Sequence, residues 1–308
     1  MKRISLIVPC LNEEEAIPAF KQEIDRVFKE CLEGYAPELI FVDDGSTDRS
    51  LEMIKKMAEH SPEVKFISFS RNFGKEAAIY AGLEAATGDY AAVMDVDLQD
   101  PPSLLPDMLK AIEKEGYDCA GTRRVTRQGE PLLRSFFARA FYKTIHQISD
   151  TRIVDGARDY KLMTRPVLEA LLSLKEYNRF SKGLYEWVGF RTKWFEYENV
   201  ERVAGETKWS FFKLFLYSIE GIVAFSTAPL ALASIMGVLL SIIILTVREL
   251  IWPHSAYGWT SLVCVFCMMG GIVLLCLGIL GQYLAKTYTE VKKRPIYIAR
   301  ERSIKPFN

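Results

Sequence analysis

Short apolar runs alternate with longer amphipathic stretches along the first hundred residues. ISLIV (4–8), ELIFV (38–42), VKFISF (64–69) and YAAVM (90–94) are nearly continuous in apolar residues, the pattern of parallel strands buried on both faces. Between them EEAIPAFKQEIDRVFKECL (14–32) and DRSLEMIKKMAEH (48–60) place apolar residues three and four apart, which predicts helices. Strand and helix in this alternation predict a doubly wound α/β sheet. In such sheets ligands bind beyond the carboxyl ends of the strands. The polar clusters fall there: PCLNEEE follows the first strand, DDGSTD the second, SRNFGKEAA the third and DVDLQD the fourth. Four clusters after four consecutive strands describe one site. Thr47 or Asp48 also suits a helix cap and Gly45 a turn, but the pair Asp43 and Asp44 exceeds what a cap requires.

The pattern changes downstream. Ile222 to Val247 and Trp259 to Leu284 are each 26 residues without a charge, and about 20 apolar residues suffice to cross a bilayer as a helix. Two transmembrane helices are expected. Lys286, Lys292, Lys293, Arg294, Arg300, Arg302 and Lys305 follow the second, whereas the connection between them holds only Arg248 among Lys and Arg. The positive-inside rule then places the tail in the cytoplasm, and two spans return the N-terminal domain to the same side. The opening MKRISLIVPCLNEEE has too short an apolar core for a signal peptide. KWSFFKLFLYSIEG (208–221) and LLRSFFARAFYKTIHQIS (132–149) mix aromatic, aliphatic and basic residues at helical spacing, as helices lying in a membrane interface do. The expected divisions are a domain at 1–207, an interfacial helix at 208–221, spans at 222–247 and 259–284, and a basic tail at 285–308.

Bulk composition adds little. Of 308 residues, 39 are basic and 39 acidic, so no net charge marks a general nucleic-acid binder. Cys264 and Cys267 form a CxxC without a second pair or a histidine to complete a zinc site. His60, His146 and His254 do not cluster in the sequence.

The sharpest chemistry lies in AAVMDVDLQDPP (91–102), where an apolar run ends in Asp95, Asp97 and Asp100. Ionised carboxylates repel one another and are costly to bury unless something positive joins them. An EF-hand would need Gly and Glu where Asp100 and Pro106 stand. No GxxxxGK[ST] occurs either. What remains is a loop of oxygen ligands for Mg²⁺ or Mn²⁺, a cation that bridges substrate phosphates.

At IVPCLNEEE, FVDDGSTD, SRNFGKEAAIYAGLEAATGDY and DVDLQDPP the chain resembles family 2 glycosyltransferases. More narrowly it resembles the polyprenyl-phosphate group, the dolichol-phosphate mannose synthases and bactoprenol glucosyltransferases. That resemblance implies a GT-A fold binding a nucleotide sugar. By position, Pro9, Leu11 and Glu13 would line the nucleotide pocket and Asp43 or Asp44 would read the base. Lys75 would reach phosphate, and Asp95, Asp97 and Gln99 would hold the metal, with Asp97 among the catalytic residues. In GTRRVTRQGE (121–130) and just beyond, Arg123, Arg124, Arg127 and Arg134 match a basic loop whose guanidinium forks suit phosphate oxygens. Arg202 and Lys208, in RVAGETKWS (202–210), would hold acceptor phosphate. DGARDYKLMTR (155–165) resembles a GDFRLM segment but departs from it, with Ala157 and Arg158 before Asp159 and Tyr160-Lys161 in place of Phe-Arg. Asp159 aligns with an acceptor-side aspartate.

A polyprenyl phosphate is already anionic and nucleophilic, so Asp159 need not act as a strong base; it positions the acceptor or steadies a neighbouring arginine. The expected reaction is metal-dependent, inverting transfer of a hexose, best glucose from UDP-glucose, to undecaprenyl phosphate at the cytoplasmic face. UDP-N-acetylglucosamine or GDP-mannose are the alternative donors. A processive polysaccharide synthase is disfavoured because no QxxRW motif occurs. A non-catalytic scaffold is disfavoured because Asp95, Asp97 and Gln99 are intact. Gly270, Gly271, Gly278 and Gly281 suit close contact between helices, and the bactoprenol relatives suggest a homo-oligomer.

Overall fold

The computed structural model describes residues 1–124, 156–197 and 258–304, together with Val154 and Thr246. Eight strands form one sheet. The first four are those the apolar runs predict: β1 (Lys2–Cys10), β2 (Tyr35–Asp43), β3 (Val64–Phe69) and β4 (Tyr90–Val93). They lie parallel in the order β3-β2-β1-β4. The helices α1 (Ala16–Cys31), α2 (Ser50–His60) and α3 (Lys75–Ala85) connect them. α1 buries Ile17, Phe20, Ile24 and Val27 and leaves its charges outside.

Beyond β4 the order becomes mixed. A 3₁₀ turn at Pro102–Leu104 leads into α4 (Leu105–Glu115), which closes on the left-handed Gly116. β5 (Cys119–Arg124) and β6 (Ala157–Thr164) follow, then α5 (Arg165–Ser173), α6 (Ser181–Trp187) and β7 (Thr192–Tyr197). β6 lies antiparallel between β4 and β5, and β7 runs parallel to β5. Insertion of β6 beside β4 places Asp159 next to the end of β4, although the two are far apart in sequence. The sheet is mostly parallel, as expected, with β6 and β8 running the other way.

One apolar layer packs on each face. α1 and α4 cover one, where Phe20 and Phe41 meet edge to face at 6.1 Å. α3, α5 and α6 cover the other. α3 lies directly on β1 because position 82 is glycine: a Cβ there would stand 2.2 Å from Ile7 Cγ2.

α7 (Gly258–Val291) is 34 residues long and contains the second expected span. Among the described residues it is the one helix long and apolar enough to cross a membrane. Its leucines at 262, 274, 277, 280 and 284 are exposed, an apolar surface of the kind that marks contact with a membrane or with another protein. The chain then turns back. Ala299–Arg302, within the expected basic tail, forms β8 antiparallel to β3 at the sheet edge. The expected first span (222–247) apart from Thr246, the interfacial helix (208–221) and the stretch at 132–149 lie outside the described residues.

Candidate active site

The loops after β1 and β2 are knitted together before any ligand is considered. Asn12, at φ 54°, donates its N–H to Ser46 Oγ at 2.9 Å, and its Oδ1 accepts the Thr47 N–H at 2.7 Å. The Glu13 N–H donates to Ser50 Oγ at 2.8 Å. Pro9 closes β1 beside Val42, and Leu11 and Glu13 are half-buried. These three surround the mouth of the first loop.

Asp43 and Asp44 are both buried, and both have local partners. Asp43 accepts from Ser68 Oγ at 2.8 Å and from the Ser46 N–H at 3.0 Å. Asp44 accepts from the main chain of Phe73 at 2.6 Å and of Gly74 at 3.0 Å. Asp44 thus shapes the turn that launches α3, where Gly74 takes φ 98°. Burial raises the Asp44 carboxyl and these two N–H groups oppose it, with a net rise.

That turn delivers Lys75 to the centre. Its ammonium lies 2.6 Å from Asp95 Oδ1 and 2.5 Å from Asp159 Oδ2. Lys182, from α6, stands 4.0 Å from the other Asp159 oxygen. Burial opposes the charge on Lys75, but Asp159 and Asp95 outweigh it and raise its pKa. Burial likewise opposes the Asp159 carboxylate, while Lys75 and then Lys182 outweigh it and hold the carboxyl below its ordinary range.

Each aspartate of the fourth loop therefore has a different environment. Asp95 faces Lys75. Asp97 is nearly buried and accepts the Gln99 N–H at 3.1 Å, in a loop turned by Leu98 at φ 56°. Asp100 is buried beneath, bonded to Arg158 Nε at 3.0 Å and to the Tyr197 hydroxyl. Burial and then Asp100 raise the Tyr197 phenol.

No group of three or more His, Cys, Asp or Glu side chains gathers at metal-binding spacing among the described residues. Asp95, Asp97 and the Gln99 amide still offer three oxygens on one short loop, the donor chemistry Mg²⁺ and Mn²⁺ accept. The residues present fit such an ion, provided that Asp95 shares its carboxylate with Lys75.

Residues 5–172 match the family model described as Glycosyl transferase family 2. The chain belongs to glycosyl transferase family 2. It is a glycosyltransferase. It is 39% identical over 304 residues to the prophage bactoprenol glucosyl transferase homolog of Escherichia coli (strain K12), covering 97% of this chain and 98% of that one. It is also 39% identical over 305 residues to the bactoprenol glucosyl transferase of Shigella phage SfII, with coverage of 97% and 98%. Among solved structures it resembles glucosyl-3-phosphoglycerate synthase from Mycobacterium tuberculosis at 20% identity and a TM-score of 0.47, over 72% of this chain and 78% of that chain.

In this glycosyltransferase the geometry joins Lys75, Asp95 and Asp159 and places Asp97 and Gln99 on the same loop. Arg123 is drawn instead into a pair with Glu196. Arg124 keeps Nε and Nη2 shielded from solvent without a hydrogen-bond partner among the described residues. Arg127, Arg134, Arg202 and Lys208 lie outside the described residues.

Four neighbours of the site carry no signal in the sequence. Lys182 reaches Asp159 from α6, and Arg158, noted only as a departure from the GDFRLM pattern, holds Asp100. Glu76 accepts the Ser181 N–H at 2.9 Å and the Ser181 hydroxyl. Tyr185 has a buried hydroxyl without a hydrogen-bond partner among the described residues; burial, then Asp159 and Glu76, raise its pKa.

Asp100→Asn is expected to destabilise the domain by about 3 kcal/mol, because it leaves the Arg158 guanidinium buried without its counter-charge. Chemical denaturation of the purified protein measures this.

Proposed function

We propose that this glycosyltransferase moves a single hexose, glucose from UDP-glucose, onto undecaprenyl phosphate at the cytoplasmic face of the cell membrane, with inversion at the anomeric carbon. The observation that carries the reading is the meeting of the Asp95–Gln99 loop and Asp159 across one lysine, in a chain whose α7 bears bare apolar side chains. The names of the similar proteins support a bactoprenol acceptor and glucose as the sugar.

The loops at 9–13 and 43–48 would hold the nucleoside. Asp95, Asp97 and Gln99 would hold Mg²⁺ or Mn²⁺, which when bound offsets the charge of a diphosphate leaving group. Lys75 supplies a fixed positive charge between the donor-side Asp95 and the acceptor-side Asp159. Asp159 stays ionised, because Lys75 and Lys182 hold its proton off, so it positions cationic side chains around the acceptor and does not take up a proton. A phosphate acceptor needs no base. Held in line with the anomeric carbon, its oxygen attacks as the nucleoside diphosphate departs, which inverts the centre. Arg123, Arg124, Arg127, Arg134, Arg202 and Lys208 would bind acceptor phosphate. Both termini would lie in the cytoplasm and two spans in the membrane. The glycines of α7, open on their outer side in this structure, would suit close helix contact in a homo-oligomer.

The test is transfer of radiolabelled sugar into organic-extractable lipid. Purified protein receives undecaprenyl phosphate, Mg²⁺ or Mn²⁺, and UDP-glucose, UDP-N-acetylglucosamine or GDP-mannose in turn. Label in lipid from UDP-glucose, lost on adding EDTA and restored by excess Mn²⁺, is expected. Label from another donor would correct the sugar. Transfer that survives EDTA would remove the metal, and retained configuration by NMR would overturn inversion.

A further inference from the structure

We propose that Glu290 and Tyr297, on the stretch where α7 returns to the sheet, are positioning residues that fix both ends of α3 and with it the place of Lys75. The proposal rests on the reading of this site as the seat of transfer to a lipid phosphate.

At the exit of α7 the Glu290 carboxylate collects a set of donors from the loop before α6. The Tyr177 N–H lies 2.9 Å from Oε1 and 3.0 Å from Oε2, the Asn178 N–H 2.9 Å and Asn178 Nδ2 3.1 Å from Oε1. Asn178 Nδ2 also donates to Thr289 Oγ1 at 2.8 Å. Charge-assisted bonds of this kind are the strong ones, so the loop at 177–178 is pinned to the last turns of α7. Three residues on, Ser181 opens α6 and gives both its N–H and its hydroxyl to Glu76. Glu76 adjoins Lys75 in the first turn of α3.

The other end of α3 is held from the same stretch. The Tyr297 hydroxyl donates to Glu84 Oε2 at 2.6 Å, and its ring stacks on Phe69 with centroids 4.9 Å apart. The segment is fixed further by the Ser70 N–H on the Ile298 carbonyl at 2.9 Å.

These contacts do something that packing alone does not. The buried face of α3 is made of Ala77, Ala78, Ile79, Tyr80, Ala81, Gly82 and Leu83, which holds the helix down on the sheet. Four of the seven are alanine or glycine, so polar contacts at the helix ends add restraint against sliding along its axis. Sliding is the motion that shifts Lys75 relative to Asp95 and Asp159, which are carried by other elements. Glu76 and Glu84, one near each end, oppose it together with Asp44, which accepts the Phe73 and Gly74 N–H groups ahead of the helix. Their partners Ser181 and Tyr297 are set by the exit of α7.

The test compares Glu290→Ala, Glu290→Gln and Tyr297→Phe with wild type in two measurements. Transfer to undecaprenyl phosphate in detergent should show kcat reduced about tenfold in Glu290→Ala, with KM for the nucleotide sugar unchanged, since displacements of an ångström or less are amplified in rate. Glu290→Gln should recover part of that loss. Tyr297→Phe, which keeps the stack on Phe69 and removes one hydroxyl, should lower kcat about threefold on the same grounds. Hydrogen exchange should quicken in peptides covering residues 75–85 of each impaired variant, without a general rise across β1 and β2. That second measurement needs neither donor nor acceptor. If wild type transfers no sugar to lipid, the functional reading fails while the exchange result still tests the coupling. Unchanged kcat and unchanged exchange at 75–85 in stably folded Glu290→Ala and Tyr297→Phe would overturn the proposal. So would a loss of thermal stability with no change in kcat.

Discussion

Lys75→Met is expected to lower kcat/KM for sugar transfer by about a hundredfold to a thousandfold, the range seen when one preorganised charge-bearing donor is removed from an active site. Among the described residues the lysine is the one cation ion-paired with both Asp95 and Asp159, at 2.6 and 2.5 Å. Without it two carboxylates face each other where the donor diphosphate and acceptor phosphate add more negative charge. The variant should also change how stability responds to pH. In wild type the folded pKa of Asp159 lies below the ordinary 3.8. The stabilisation is therefore complete above the unfolded value and is lost as pH falls toward the folded one. In Lys75→Met burial is left to disfavour the anion with less to oppose it, the folded pKa rises, and the variant recovers relative stability as pH falls through that raised value. The gap in thermal midpoint between wild type and variant should thus narrow from about pH 7 to about pH 4. A constant gap would mean that Lys75 does not set the ionisation of Asp159.

Asp97→Ala is expected to reduce transfer by about a thousandfold, the equivalent of about 4 kcal/mol in the barrier, if its carboxylate helps to hold the cation that offsets diphosphate charge. Asp97 is nearly buried and accepts the Gln99 N–H within its own loop. Titration of Mn²⁺ in the presence of UDP, followed by electron paramagnetic resonance, separates metal loss from misfolding. Wild-type Mn²⁺ affinity in the variant would take Asp97 out of the metal site.

The four parallel strands were legible because most of their residues are buried and so read as nearly continuous apolar runs; Val64–Phe69 coincides with its prediction residue for residue. β6 escaped notice for the opposite reason. ARDYKLMT carries Arg158, Asp159 and Lys161 among its apolar residues, because one end of it serves the site and Lys161 is buried against Glu186, Tyr185 and Trp194. β8 is only four residues, ARER, with three of them exposed; its pairing is a matter of main-chain hydrogen bonds at an edge, which side-chain periodicity does not report. Within the site, the registry of polar clusters located Lys75, Asp95, Asp97 and Gln99, and the family resemblance supplied Asp159. Lys182 and Glu76 act through tertiary proximity that no local pattern encodes. Asp43 and Asp44 illustrate the converse. Their pairing suggested a base-reading loop, and in the fold their oxygens meet hydroxyl and main-chain donors of the neighbouring turns.

The return of the chain as β8 has a mechanical consequence. The catalytic domain is left by the chain after β7, at one margin of the sheet, and re-entered at β8, the opposite margin. Seven inter-strand spacings separate those two points, about 33 Å at about 4.7 Å each. A body hung from a single flexible leash is free to tumble about all three axes and to present any surface to the bilayer. One moored at two points so far apart keeps a single easy rotation, a rocking about the line that joins the moorings, while roll and spin are restrained. On the proposed membrane reading, the open ends of β1 to β4 would meet the lipid surface over a narrow arc of orientations, and a long acceptor confined to two dimensions would have only to diffuse laterally to find them.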